Sequence, residues 1–242
     1  MPKEKLAANH LVFRPITDAK SFDDVYDIFL SNAAQIIRLK ARINAKGGQV
    51  WKEISPLCVT SALMINPLKN LRDISNGGTG YAREQMFRGF PGCYRPLMAI
   101  KKLCFDEKYC TLDELVEQCK NDWPDEGLRH MAENCPAFGD GSDESNALAG
   151  RLNDDLYRLT RDLPTLFGGE YKIGYFMYTE VIWWGKQIAA TPNGRHAGYY
   201  ISHGVTPTRL HEIKSAGLEK CAANSIANVM LPAARLSELF SR

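Results

Sequence analysis

The sequence predicts a helix-rich α/β fold, and three observations carry that reading. Apolar side chains recur at helical spacing through most of residues 21–162. The segment 171–182 alternates instead, with Tyr171, Ile173, Tyr175 and Met177 on one side, as a strand does. Two loops rich in glycine, 75–81 and 190–209, interrupt the regular structure.

The first helix is expected over 21–45. Ser21 caps it, Asp23 and Asp24 sit in the first turn, and Lys40, Arg42 and Lys46 lie near the end. Phe22, Val25, Phe29, Ala33, Ile36 and Ile43 form its apolar stripe, and Gly47-Gly48 is the expected stop. A second apolar helix is expected over 56–71 with Pro56 in its first turn. Ser75-Asn76-Gly77-Gly78-Thr79-Gly80-Tyr81 must be loop, since three glycines in four residues signal unusual backbone angles or close packing. Helix resumes around 96–107, and Thr111 with Glu114 forms a capping box for 112–121. Further helices are expected at 125–133 and, from a Ser142 cap, at 143–162. Residues 221–230 read as a buried strand or short helix, and 232–241 as a helix starting at Pro232.

Composition excludes several classes. The 242 residues are 45% hydrophobic and 24% charged, ordinary for a globular protein. A net charge of +2, with basic residues scattered, gives no footprint for nucleic acid or an anionic membrane. No apolar run approaches the ~20 residues of a membrane helix, and Met1-Pro2-Lys3-Glu4-Lys5 lacks the apolar stretch of a secretory signal. Seven cysteines at irregular spacing, with no Cys-x-x-Cys pair, argue against a disulfide framework or a zinc site and for a reducing cytoplasm.

Generic catalytic patterns are missing: no Gly-x-x-x-x-Gly-Lys, no His-Glu-x-x-His and no Gly-x-Ser-x-Gly. His196 and His203, seven apart in a glycine-rich loop, read as solvated or structural rather than as metal ligands. Asp140, Asp143 and Glu144 read as an acidic helix start rather than a calcium loop. The aromatics from Tyr171 to Trp184 read as core rather than as a base-stacking platform.

Two loops resist such readings. Arg72-Asp73-Ile74-Ser75-Asn76-Gly77-Gly78-Thr79-Gly80-Tyr81 resembles the R-D-x-x-x-G-G-A-x-Y segment of glycyl radical enzymes, the pyruvate formate-lyase-like family. Ala190-Thr191-Pro192-Asn193-Gly194-Arg195-His196-Ala197-Gly198 resembles that family's A-T-P-D-G-R-R-A-G loop, and Gly204-Val205-Thr206-Pro207-Thr208 its G-x-S-P-S. Ser21–Val25, Met98–Phe105, Ala137–Asp140 and Asn224–Ala227 resemble further family segments, in the same order. The sequence departs from the pattern at Asn193 (usually Asp), His196 (usually Arg) and Tyr199-Tyr200 (usually acidic or proline).

The resemblance implies half of a ten-stranded α/β barrel. It also implies a chemistry in which an activating enzyme, using S-adenosylmethionine and an iron–sulfur cluster, installs a glycyl radical. A cysteine relays that radical to the substrate, and a C–C, C–N, C–O or C–S bond then breaks, as in radical lyases, dehydratases and formate acetyltransferase. The cysteine's G-C-V-E motif and the glycine's R-V-x-G-Y motif do not occur in this sequence. Cys93, in Gly92-Cys93-Tyr94, follows the Gly77-Gly78 loop and lacks the glutamate, so it does not match the radical cysteine. No catalytic residue, metal or cofactor is therefore expected in the chain itself.

By resemblance, Thr191, Asn193 and Arg195 sit near the barrel mouth, where Arg195 would hold an anionic substrate group by a bidentate contact. The competing reading is that Arg195 and Asn193 pin the loop backbone. Arg72 and Asp73 are expected to form a salt bridge, with Gly77 and Gly78 serving backbone geometry. The whole chain, 1–242, reads as one partial domain whose tail, 231–242, departs from the family. An opened barrel exposes sheet edges and apolar interior, so the expected partner is a complementary half or a second copy. The expected function is a subunit or fragment of a glycyl radical enzyme, inactive alone, and the alternative is a non-catalytic binding or scaffold remnant.

Overall fold

The computed structural model describes residues 11–79, 83–87, 89–163, 165–168, 170–176 and 180–205. Helix α1 spans Phe22–Ile54, 33 residues. Its start is a capping box: the Asp24 amide donates to Ser21 Oγ at 3.1 Å, and the Ser21 amide donates to Asp24 Oδ2 at 2.9 Å. The expected stop at Gly47-Gly48 is wrong, for the helix runs nine residues past the expected end at 45. Each glycine costs only about 1 kcal/mol relative to alanine, and the surrounding Ala45, Lys46, Gln49, Lys52 and Glu53 all favour helix. Pro56 is the actual terminator, since it drives the residue before it out of helical angles: Ser55 has φ −144° and ψ 65°.

The single helix expected over 56–71 is two, α2 (Cys58–Ala62) and α3 (Ile65–Asn70), with Met64 extended between them. Pro67 explains the break. In a continuous helix it would remove a hydrogen bond and clash with the preceding turn. As the third residue of a new helix its missing N–H has no partner to lose.

Strand β1 (Arg83–Phe87) pairs with β2 (Tyr171–Tyr175). The strand expected over 171–182 is thus shorter, and helix α8 (Val181–Gly185) takes over before its end. Helix α4 (Pro91–Ile100) begins earlier than expected because Pro91 is suited to a first helical turn, and it continues as a π-helical segment, Lys101–Asp106. Helices α5 (Leu112–Lys120), α6 (Glu126–Glu133) and α7 (Asp143–Arg161) match expectation within two residues. Ser142 caps α7 through its hydroxyl, which accepts from the Ser145 amide. Residues 190–205 are loop and turn as expected. The expectations for 206–209, 221–230 and 232–241 lie outside the described residues.

The described residues fall into two compact units, one holding residues 11–85 and 151–174, the other 86–150 and 175–205. In the first, Tyr26 is fully buried against α7. Its hydroxyl donates to Asp155 Oδ2 at 3.0 Å, and Arg151 stacks 4.0 Å from its ring while pairing with Asp23. In the second, Phe90, Tyr94, Phe138 and Tyr175 form the aromatic centre, with ring centroids 5.0 Å apart for Phe90–Phe138 and 5.1 Å for Phe90–Tyr175. The Tyr94 hydroxyl donates to Ser145 Oγ, which donates onward to the Ala137 carbonyl, so this buried polar chain is satisfied.

Candidate functional site

The loop that carries Thr191, Asn193 and Arg195 folds back on itself. The Thr191 amide donates to the Arg195 carbonyl at 3.0 Å, and the Gly194 amide donates to the Thr191 carbonyl at 3.2 Å. Gly194 has φ +81°, and a Cβ there would lie 2.9 Å from the Arg129 carbonyl and 2.5 Å from Glu133 Cγ on α6. Only glycine permits both the angle and the approach. Asn193 is buried, and its side-chain oxygen accepts from Thr191 Oγ1 at 2.8 Å.

Arg195 points back along its own loop. Its Nε donates to Thr191 Oγ1, one terminal nitrogen to the Tyr199 carbonyl at 2.8 Å, and the other to the carbonyls of Ile188 and Ala189. All but one of its N–H groups are thereby committed. Burial lowers its pKa. A bidentate grip on a substrate anion, one of the two roles read from the sequence, would need these loop contacts broken.

The loop is anchored by the connection between α5 and α6. Asp122 Oδ1 accepts from the Ala197 amide at 2.7 Å and lies 3.2 Å from His196 Nδ1. The Ala197 amide, with His196 assisting, holds the Asp122 carboxyl below its usual pKa. Trp123, 2% exposed, donates from its indole nitrogen to the Thr191 carbonyl at 3.2 Å. Both Asp122 and Trp123 have left-handed backbone angles, φ 56° and 61°. Left-handed geometry costs on the order of 1–2 kcal/mol per residue, whereas burying an indole contributes roughly 4–6 kcal/mol. Burial wins, and the strained corner persists. An Asn-Asp pair at a helix C-terminus was the only sequence signal available for this corner; Trp123 carried none.

The second glycine loop is organised by Asp73. Its carboxylate accepts from Ser75 Oγ and the Ser75 amide, from Ser61 Oγ at 2.8 Å, and from the Leu57 amide at 3.2 Å. The Ser75 and Ser61 hydroxyls and these amides depress its pKa to about 2. The salt bridge expected with Arg72 does not form; Arg72 is exposed, and hydroxyls and amides take the carboxylate instead. Gly77 has φ +84°, and a Cβ on Gly78 would sit 2.2 Å from the Arg72 carbonyl. These residues are in one unit and the Arg195 loop in the other.

Cys93 is pushed up to about 11 by burial, the opposite of an activated thiol. Among the described residues no group of three or more His, Cys, Asp or Glu side chains could hold a metal ion. None of their helices is long and apolar enough to cross a membrane.

Residues 3–185 match the family described as pyruvate formate lyase-like. The chain belongs to that family. It is 24% identical over 193 residues to trans-4-hydroxy-L-proline dehydratase of Clostridioides difficile, covering 78% of this chain and 24% of the relative. It is 29% identical over 119 residues to isethionate sulfite-lyase of Nitratidesulfovibrio vulgaris, covering 49% of this chain and 14% of the relative. In fold it matches the hydroxyproline dehydratase crystal structure from C. difficile, with a TM-score of 0.77 at 22% identity over 88% of this chain and 28% of that one. The B12-independent glycerol dehydratase from Clostridium butyricum matches with a TM-score of 0.78 at 22% identity, over 90% of this chain and 29% of that one. The helix-rich α/β fold is therefore that of part of a glycyl radical enzyme barrel. The chain spans about a quarter of the length of these proteins.

Proposed function

We propose that this chain is one segment of a glycyl radical enzyme of the lyase and dehydratase type, at work in a reducing, anaerobic cytoplasm. Its own contribution is to hold the 188–200 loop in shape. The observation that carries this reading is the family match across residues 3–185, in a chain that spans about a quarter of its relative's length. Arg195 acts here as a positioning residue, because its donors are spent on the carbonyls of Ile188, Ala189 and Tyr199. That engagement weighs against the alternative of a stand-alone anion-binding remnant.

The radical-bearing glycine and cysteine motifs do not occur in these 242 residues, so these residues by themselves perform no hydrogen-atom transfer. The test is electron paramagnetic resonance after anaerobic incubation with S-adenosylmethionine and a reduced iron–sulfur activating enzyme. The purified chain by itself should give no organic radical signal. A stable carbon-centred radical on this chain would contradict the proposal.

A further inference from the structure

Cys104 and Cys110 meet across a turn. Their sulfurs lie 3.9 Å apart, close enough for one thiol to donate to the other. Cys104 is in the π-helical segment Lys101–Asp106, and Cys110 comes just before the Thr111 cap of α5, both inside one compact unit. The backbone builds the approach. The Tyr109 and Cys110 amides both donate to the Leu103 carbonyl, at 2.8 and 3.3 Å, so the chain returns on itself beside Cys104. Lys108 turns the corner with φ 56°. Leu103 and Leu115, each 1% exposed, hold the two flanks in the core. The Thr111–Glu114 capping box fixes where α5 begins.

The two thiols are not equivalent. The hydrogen bond from Cys104 lowers the pKa of Cys110, and the same bond raises that of Cys104. Cys110 is therefore the readier thiolate, and the thiolate is the nucleophile in disulfide exchange. Glu114 opposes it with its charge, but that carboxylate is spent on the Thr111 amide and hydroxyl. Both cysteines are half-buried rather than enclosed. Cys119 on α5 is pushed up to about 11 by burial, which keeps it a thiol. A disulfide holds its sulfurs about 2.05 Å apart, so closure brings Cys104 and Cys110 sulfurs roughly 1.9 Å nearer, a shift of the size a thiol makes on changing rotamer.

We propose that Cys104 and Cys110 are a reversible dithiol–disulfide site, oxidised by low-molecular-weight disulfides, that ties the end of the π-helical segment to the start of α5. The Cys110 thiolate attacks one sulfur of the small disulfide, whose S–S bond breaks as one small thiolate leaves. Cys104 then gives its proton to solvent and attacks the Cys110 sulfur of the mixed disulfide, expelling the second small thiolate. The protein loses two hydrogens with their electrons, and the small disulfide gains them as two thiols. In reducing surroundings the pair rests as the dithiol. A rising share of oxidised small disulfide closes the seven-residue ring, 104–110.

The test equilibrates the full reduced chain, anaerobically, with glutathione buffers of increasing oxidised fraction, followed by alkylation and peptide mass spectrometry. A Cys104–Cys110 link should be the main oxidised product, exceeding glutathionylation of the exposed Cys58 several-fold, and dithiothreitol should reverse it. Hydrogen exchange over 107–111 should slow several-fold on oxidation. Cys104→Ser should trap glutathione on Cys110, and Cys110→Ser should leave Cys104 several-fold less modified; the melt of each reduced variant checks its folding. The wild-type map needs neither variant. Glutathione on either cysteine at the Cys58 yield with no link, a link to Cys119 instead, or a link formed only in denaturant would overturn the proposal.

Discussion

Two side chains show how single groups fix the loops. Asp73 is ionised in the fold down to about pH 2, against an ordinary value of 3.8. The unfolded chain therefore binds the proton first as pH falls, so the stabilisation is fully present above about pH 4 and is lost towards pH 2. Asp73→Asn should lower the melting temperature at neutral pH and flatten its dependence between pH 4 and 2, measured by circular dichroism. A wild-type slope in the variant would show that other carboxylates govern that range. Trp123 is the anchor of the other loop. Trp123→Ala should cost about 3–5 kcal/mol and raise hydrogen exchange across 188–199. Arg195→Lys should raise exchange over the same residues with a smaller loss, since a lysine cannot reach separate carbonyls with a planar fork.

Among the elements, the helices were readable because caps and proline positions are local chemistry. Ser21, Thr111 and Ser142 each start a helix where expected. The departures in helix bounds trace to proline: Pro56 ends α1 beyond the expected glycine stop, Pro67 breaks the helix expected over 56–71, and Pro91 starts α4 ahead of 96. Gly47 is open on all sides, with nothing within 4 Å of a built Cβ. Gly47→Ala should therefore stabilise α1 by about 0.5–1 kcal/mol, seen as a rise of a few degrees in melting temperature. Of the candidate site, the loop positions 191–198 were legible from their glycine, proline and arginine pattern. Their anchors were not, because Asp122 and Trp123 lie about seventy positions away in sequence and meet the loop only through tertiary packing. The sequence likewise offered two roles for Arg195, and only its hydrogen-bond partners separate them.

At the scale of the whole molecule, twelve of the large apolar side chains that the described residues expose lie between Ile36 and Leu71. A protein with twelve large apolar side chains exposed over one segment should associate. The most direct measurement is native mass spectrometry of the tagged chain purified anaerobically from its own host. An assembly larger than one chain, with a second copy or with another polypeptide, is the expected result. A monodisperse monomer with a single cooperative melt would contradict it.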